Sequence, residues 1–146
     1  MFTRIFLTGL IVILLSCKKE KHLLDEDAPA IVLLTQKPWI LASLGFDNNN
    51  NGRIDPSEEA IEDCQKDNIT HFYVGGTGLF DNNDRSCATG IGQYPFTWTF
   101  TNHQTGIDFL YDSAVIDRLN DQQLVVSKVL SLSNNDPIKF MLVYRH

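Results

Sequence analysis

The sequence predicts an all-β domain, an antiparallel meander of short strands that is closed as a sandwich or a barrel. From residue 31 onward, large apolar residues recur at every second position, the period of a strand with one buried face. Turn-forming clusters of Asn, Asp, Gly and Pro separate these stretches at intervals of about 10–15 residues. The composition, 43% hydrophobic and 21% charged, is that of a globular chain, and 146 residues favour one domain.

The individual strands follow from this alternation. The clearest strand covers residues 96–101, where Phe96, Trp98 and Phe100 alternate with threonines. We predict further strands at residues 39–46, 69–74, 107–111, 123–132 and 138–145. A closed barrel would leave none of their edges exposed. Residues 56–66 alone have helical character and predict one short helix.

The first residues have the pattern of a secretory signal peptide, residues 1–16. Arg4 supplies the positive charge, and the apolar stretch over residues 5–15 is shorter than the roughly 20 residues that span a bilayer. Residues 14–17, Leu-Leu-Ser-Cys, resemble the lipobox of bacterial lipoproteins. That resemblance implies a diacylglycerol on the sulfur of Cys17 and cleavage before it. The alternative is a buried N-terminal helix with a free cysteine.

The segment after the cleavage site is expected to connect an anchor to a domain. Residues 17–34 are interpreted as the lipidated N-terminus and a tether, and residues 35–146 as the folded domain. Lys18 follows the cysteine, where there is no Asp. By resemblance to other lipoproteins, this indicates anchoring in the outer membrane, facing either the periplasm or the cell exterior.

Charge and motif content argue against two classes of function. The net charge is −6, and removing residues 1–16 removes only Arg4 and lowers it to −7. The basic cluster of Lys18, Lys19 and Lys21 lies beside the predicted anchor. Nucleic acid is therefore not an expected partner. The chain has no HExxH, GxSxG or phosphate-cradling motif, and its four histidines are scattered. We therefore expect a protein that is not an enzyme.

Export would change how the other two cysteines behave. Cys64 and Cys87 would lie in an oxidising compartment and, with Cys17 lipidated, would be the remaining pair. We predict a disulfide that closes a loop of about 24 residues and contributes about 3 kcal/mol. Two free thiols, or half of a metal site, are the alternatives.

Residues 47–58 fit the calcium-loop pattern D-x-[DN]-x-[DN]-G with a Glu at the twelfth position. Side-chain oxygens at alternate positions wrap around a cation, and the glycine permits the sharp turn. The pattern resembles the loop of an EF-hand or of a dockerin-like repeat. It predicts as Ca²⁺ ligands Asp47, Asn49, Asn51, Arg53 through its backbone carbonyl, Asp55 through water, and Glu58. Three carboxylates imply weak binding, with Kd on the order of 10⁻⁴–10⁻³ M.

Two simpler interpretations of the same residues stay open. Asn-rich stretches are common at loop tips, where Asn and Gly satisfy turn geometry. Residues 55–58 also have the pattern of a helix start, with Asp as N-cap, Pro at the first position and Glu at the third. A strand rather than a helix is predicted before Asp47, unlike in an EF-hand.

Several spaced features outside this loop resemble one family. They are Lys37-Pro38-Trp39, the Cys-x-x-Asp-Asn stretch from Cys64 with Phe72 behind it, Cys87, and the strand that contains Trp98. Together they resemble the lipocalin-like domain found in many lipoproteins of Bacteroidota, over about residues 35–145. The resemblance implies an up-and-down antiparallel barrel of about eight strands, a fold that can enclose one small apolar ligand.

Two observations weigh on the expected ligand cavity. Trp39 follows Pro38, without the Gly-x-Trp signature of well-studied lipocalins. Small barrels also often fill their own interior, so the aromatic strand residues are expected to form core. The alternative function is therefore a structural or interaction protein of the cell envelope with a filled barrel.

Overall fold

The computed structural model describes residues 29–83, 87, 92–110, 112–131 and 137–146. It contains one helix, eight strands and two 3₁₀ turns within those residues. They are α1 (Ala30–Thr35), β1 (Trp39–Asp47), a 3₁₀ turn at Asp63–Gln65, β2 (Ile69–Tyr73), β3 (Thr77–Asp81), β4 (Gln93–Thr101), a 3₁₀ turn at Asn102–Gln104, β5 (Gly106–Phe109), β6 (Asp112–Leu119), β7 (Gln123–Leu130) and β8 (Ile138–Arg145). The predicted all-β class is confirmed.

The strands form a closed, up-and-down antiparallel barrel. Each strand pairs with the next along the chain, and β8 returns to pair with β1. The predicted strands at residues 39–46, 69–74 and 138–145 lie within a residue of β1, β2 and β8. β3 and β6 were not predicted, because their apolar residues alternate less regularly. Tyr111, the last residue of the strand predicted over residues 107–111, lies outside the described residues.

The pairing between β1 and β2 is short. Only Trp39 and Ile40, at the start of the nine-residue β1, pair with β2. Residues 58–60 supply partners for the rest of this edge. The Phe46 amide donates to the carbonyl of Glu58 at 3.2 Å, and the Ala60 amide donates to the carbonyl of Leu44 at 2.8 Å. Because buried backbone groups need hydrogen-bond partners, this segment completes the barrel. We call it the seam segment.

Aromatic side chains fill the inside of the barrel. Phe72 contacts the rings of Phe96, Trp98 and Phe109 at centroid distances of 5.5–5.7 Å. All four are at most 6% exposed. Edge-to-face and tilted rings at such distances attract one another beyond the area that they bury. Phe96 and Trp98 of the predicted aromatic face are therefore buried, and Phe100 is partly buried and packs against the same core.

Helix α1 covers the barrel at the end where β1 begins. Its residues Ala30, Leu33 and Leu34 are buried, and the indole N–H of Trp39 donates to the carbonyl of Leu34 at 2.9 Å. Residues 30–34, which the sequence analysis assigned to the tether, therefore pack against the domain. An apolar stretch of six residues was too short to signal a helix without its partner surface.

The helix expected after the loop at residues 47–58 is absent. Residues 56–58 form a turn, residues 58–60 are extended along β1, and a 3₁₀ turn follows at Asp63–Gln65. The prediction of a short helix over residues 56–66 was wrong. Pairing with β1 gives backbone N–H and C=O groups of residues 58–60 hydrogen-bond partners in the barrel. This tertiary contact overrides the local preference for a short helix.

The seam segment leaves no room for a side chain at Gly45. An added Cβ there would overlap the carbonyl oxygen of Glu58 and lie 2.8 Å from Cγ2 of Ile54. We expect Gly45→Ala to destabilise the protein by about 2 kcal/mol, the cost of overpacking a fitted contact. Gly92→Ala is the matched control, because an added Cβ there meets nothing within 4 Å. Urea unfolding measures both variants, and equal midpoints would show that the seam segment does not lie on β1 in solution.

Candidate functional site

The candidate calcium loop connects the end of β1 to the seam segment. All six predicted ligands, Asp47 to Glu58, lie in this one connection, on the outer side of the barrel wall. The loop folds back so that Ile54 packs over Gly45 of β1. Its two ends, Asp47 and Glu58, are buried to 2% and 9% exposure, whereas Asn49, Asn51 and Arg53 are exposed.

Asp47 organises the first half of the loop. One of its carboxylate oxygens accepts the backbone N–H of Asn51, and the other accepts that of Gly52, both at 2.9 Å. Asn50 and Gly52 have positive φ values of 56° and 79°. These angles are accessible to Asn and Gly at little cost, which is why the chain reverses here. The loop is therefore wrapped around the Asp47 carboxylate.

The two asparagines at alternate positions make the same kind of turn. The side-chain oxygen of Asn49 accepts the N–H of Asn51 at 3.0 Å, and that of Asn51 accepts the N–H of Arg53 at 2.9 Å. Such side-chain-to-backbone bonds shape a tight turn. Each amide oxygen retains a second lone pair that the turn does not use.

Glu58 joins the loop to the barrel. Its carboxylate accepts the backbone N–H of Asn48 at 2.9 Å and that of Asp55 at 3.0 Å. Its backbone carbonyl accepts the N–H of Phe46 in β1 at 3.2 Å. The same residue therefore closes the loop through its side chain and the barrel seam through its backbone.

Asp55 has a different environment from the other two carboxylates. One of its oxygens accepts the side-chain amides of Asn49 at 2.8 Å and Asn51 at 3.0 Å, so its partners are side chains rather than backbone groups. Two neutral amide groups thus stand beside this carboxylate. A cation at the centre of the loop would replace these amide groups as the partner of the Asp55 carboxylate.

The donor set suits Ca²⁺. Three carboxylates, two amide oxygens and the Arg53 carbonyl are hard oxygen ligands in one twelve-residue loop, as this ion requires. The oxygens of Asp47, Asp55 and Glu58 do not all lie within 4.8 Å of one another. Residues 55–58 make the turn of a helix start, with the Asp55 N–H donating to the Glu58 carboxylate at 3.0 Å, but no helix follows.

The cysteines predicted to pair are at bonding distance. Cys64 and Cys87 form a disulfide with an S–S distance of 1.99 Å and a Cα–Cα distance of 5.2 Å. Glu62 lies beside them, so the three side chains group within 4.8 Å. Sulfurs joined in a disulfide are not thiolate ligands, so this group does not form a metal site. The cross-link instead ties the segment before β2 to the connection before β4.

A small cavity lies inside the barrel, toward the β5–β6 turn. It has a volume of about 280 Å³ and a mostly apolar lining that includes Phe109, Ala114 and Phe140. Lys128 and Asp112 also line it and form an ion pair. The hydrogen bond from Lys128 lowers the pKa of the Asp112 carboxyl below its ordinary value. The volume is just below the range of about 300–1,000 Å³ typical of small-molecule sites.

Comparisons with protein-family models, with curated proteins and with solved structures gave no match. The resemblance to lipocalin-like lipoproteins thus stays a prediction beyond the barrel fold itself. The signal peptide over residues 1–16 and the lipidated Cys17 lie outside the described residues. Among the described residues, no helix combines the length and the apolar character needed to cross a membrane.

Proposed function

We propose that this chain is a lipoprotein of the outer membrane, anchored through Cys17, whose lipocalin-like barrel binds Ca²⁺ weakly through residues 47–58. One observation carries the calcium proposal: Glu58 serves the loop with its carboxylate and the barrel seam with its carbonyl. A cation held by the loop would therefore stabilise the barrel as well. We assign no catalytic role to any residue of the chain.

The expected affinity follows from the ligand charges. Two of the five side-chain ligands are asparagines, and the site has one loop without a paired partner, so Kd is on the order of 10⁻⁴–10⁻³ M. Such a site fills only where calcium is millimolar, which is the condition outside the cytosol. The affinity and the proposed export therefore support the same location.

Calcium is expected to stabilise the folded protein. With Kd near 1 mM, 10 mM Ca²⁺ would raise the free energy of unfolding by about 1.4 kcal/mol, because it binds the folded state alone. Full-length protein in detergent is unfolded thermally in Ca²⁺ and in Mg²⁺, and Kd is measured by calorimetry. We expect a rise in Tm of about 4 °C in Ca²⁺.

Asp55→Asn tests the site without disturbing the backbone of the loop. Among the described residues, its carboxylate accepts the side-chain amides of Asn49 and Asn51. The neutral variant therefore keeps the backbone of the loop and removes the charge of the carboxylate that is proposed to act through water. We expect calcium affinity to fall at least tenfold. Asp121→Asn, in the exposed β6–β7 turn, changes the same charge elsewhere and is the control. Heats and Tm shifts that are identical in all three proteins would refute calcium binding by this loop.

The lipid anchor has its own test. We expect wild-type protein expressed in a Gram-negative host to incorporate labelled palmitate and to sediment with outer membranes. Cys17→Ser should lose the label and the membrane association, since the acylated sulfur is gone. The double variant Cys64→Ser/Cys87→Ser is the control and should keep the label. Unlabelled wild-type protein that retains residues 1–16 would contradict export as a lipoprotein.

The cavity supports a small apolar ligand as a second part of the proposal. Its mostly apolar lining suits a short acyl or similar chain. The alternative, a filled barrel with a structural or interaction role, is favoured by the four packed aromatic rings of the core.

Probe binding separates these two functions. If the cavity is used, a fluorescent fatty acid should bind, and Ala114→Phe should abolish its binding by filling the space. Val115→Phe, on the neighbouring exposed position of β6, should leave it unchanged. Lipid extracts without a bound molecule, together with no probe binding, would favour the filled barrel.

A further inference from the structure

A groove runs along the outer wall of the barrel, beneath the calcium loop. Its volume is about 660 Å³, and strands β1, β8, β7 and β6 form its floor. Residues 51–54 of the loop overhang one side. This groove is separate from the interior cavity, because it lies on the opposite face of the same strands.

The groove concentrates positive charge on an acidic protein. Its lining contains four cations and two carboxylates, whereas the whole chain has a net charge of −6. The cations are Arg53, Arg118, Lys139 and Arg145, and the carboxylates are Glu59 and Asp117. A positively charged patch within a concave surface attracts anions.

Only part of this charge is neutralised within the groove. Lys139 pairs with Asp117 at 3.0 Å. Among the described residues, no carboxylate lies within ion-pair distance of Arg53, Arg118 or Arg145. Because Lys139 and Asp117 compensate each other, the three arginines and Glu59 leave the groove with a net charge of +2.

Two of these arginines flank one polar side chain. Gln123 on β7 lies directly opposite Arg145 on β8 and accepts a hydrogen bond from Nη1 of Arg118 at 2.7 Å. Arg118 on β6 lies opposite Val125, two residues along from Gln123. The two arginine backbones are therefore about 12 Å apart, two strand spacings across the sheet and two residues along it. Long side chains from both sides can reach one anion that lies over Gln123.

The floor next to the arginines is apolar. Val125 and Met141 point to the outer face but are only 7% and 1% exposed. Val143 on β8 pairs with Val125 on one side and with β1 on the other. The overhanging loop, with Ile54 on the same side, shields this floor. An organic group could rest there while its charged end meets the arginines.

We propose that this groove binds a phosphate monoester. The phosphate group of a monoester has three free oxygens, so it can accept hydrogen bonds from two guanidinium groups at once. A carboxylate has only two oxygens and is less well suited to bridge two arginines. The organic part of the ester would lie on Val125 and Val143. Arg118 and Arg145 do not belong to the calcium loop, so this site does not require the proposed calcium binding.

The test is a calorimetric titration of the full-length protein in a neutral detergent. Three probes distinguish the source of the phosphate: inorganic phosphate, glycerol 3-phosphate and the water-soluble dihexanoyl phosphatidic acid. We expect at least one ester to bind more tightly than inorganic phosphate, because its organic part contacts the floor. Preference for glycerol 3-phosphate indicates a soluble ester, and preference for the lipid indicates a headgroup.

The variants identify the site. Arg145→Gln and Arg118→Gln are each expected to weaken ester binding at least tenfold, and Lys37→Gln, an exposed cation outside the groove, less than twofold. Urea midpoints check that each variant is folded. No binding of any probe, or an equal loss in Lys37→Gln, would overturn the proposal. Repeating the titration in EGTA keeps the two proposals apart, since the arginines should bind the ester without Ca²⁺.

Discussion

The structure depends on how the gap between β1 and β2 is closed. β2 pairs with only the first two residues of β1, so most of that edge would otherwise expose unpaired backbone groups. Glu58 and Ala60 satisfy two of these groups, and Gly45 provides the space for their close approach. The barrel is therefore complete only when the loop between Asp47 and Glu58 is folded. This makes a surface loop part of the architecture.

Strand alternation made most of the fold predictable, because each inner face is buried by the strands next to it. The same rule failed where a partner element changes which side is buried. Met141 points outward, yet it is 1% exposed, since the loop lies over it. Helix α1 was missed for a related reason: six residues become helical only against the end of the barrel. Both misses are tertiary effects that local periodicity does not contain.

The two candidate sites differ in how much the sequence could reveal. The loop ligands lie within twelve consecutive residues, so their spacing alone pointed to an oxygen-rich turn. The groove instead combines Arg53, Arg118 and Arg145, which are far apart in the chain and form no basic stretch. Their proximity depends on strand register, in which Arg145 faces Gln123 and Arg118 faces Val125. A charge count along the chain therefore missed this positive surface.

Burial and charge together favour the outer wall as the place of recognition. The interior is largely occupied by aromatic rings, and the cavity that remains is less than half the volume of the outer groove. The loop that closes the seam also forms one side of that groove, through Arg53 and Ile54. Anything that orders the loop will therefore fix the position of Arg53 relative to Arg118 and Arg145. Closure of the barrel and the shape of the arginine-lined groove are thus set by the same twelve residues.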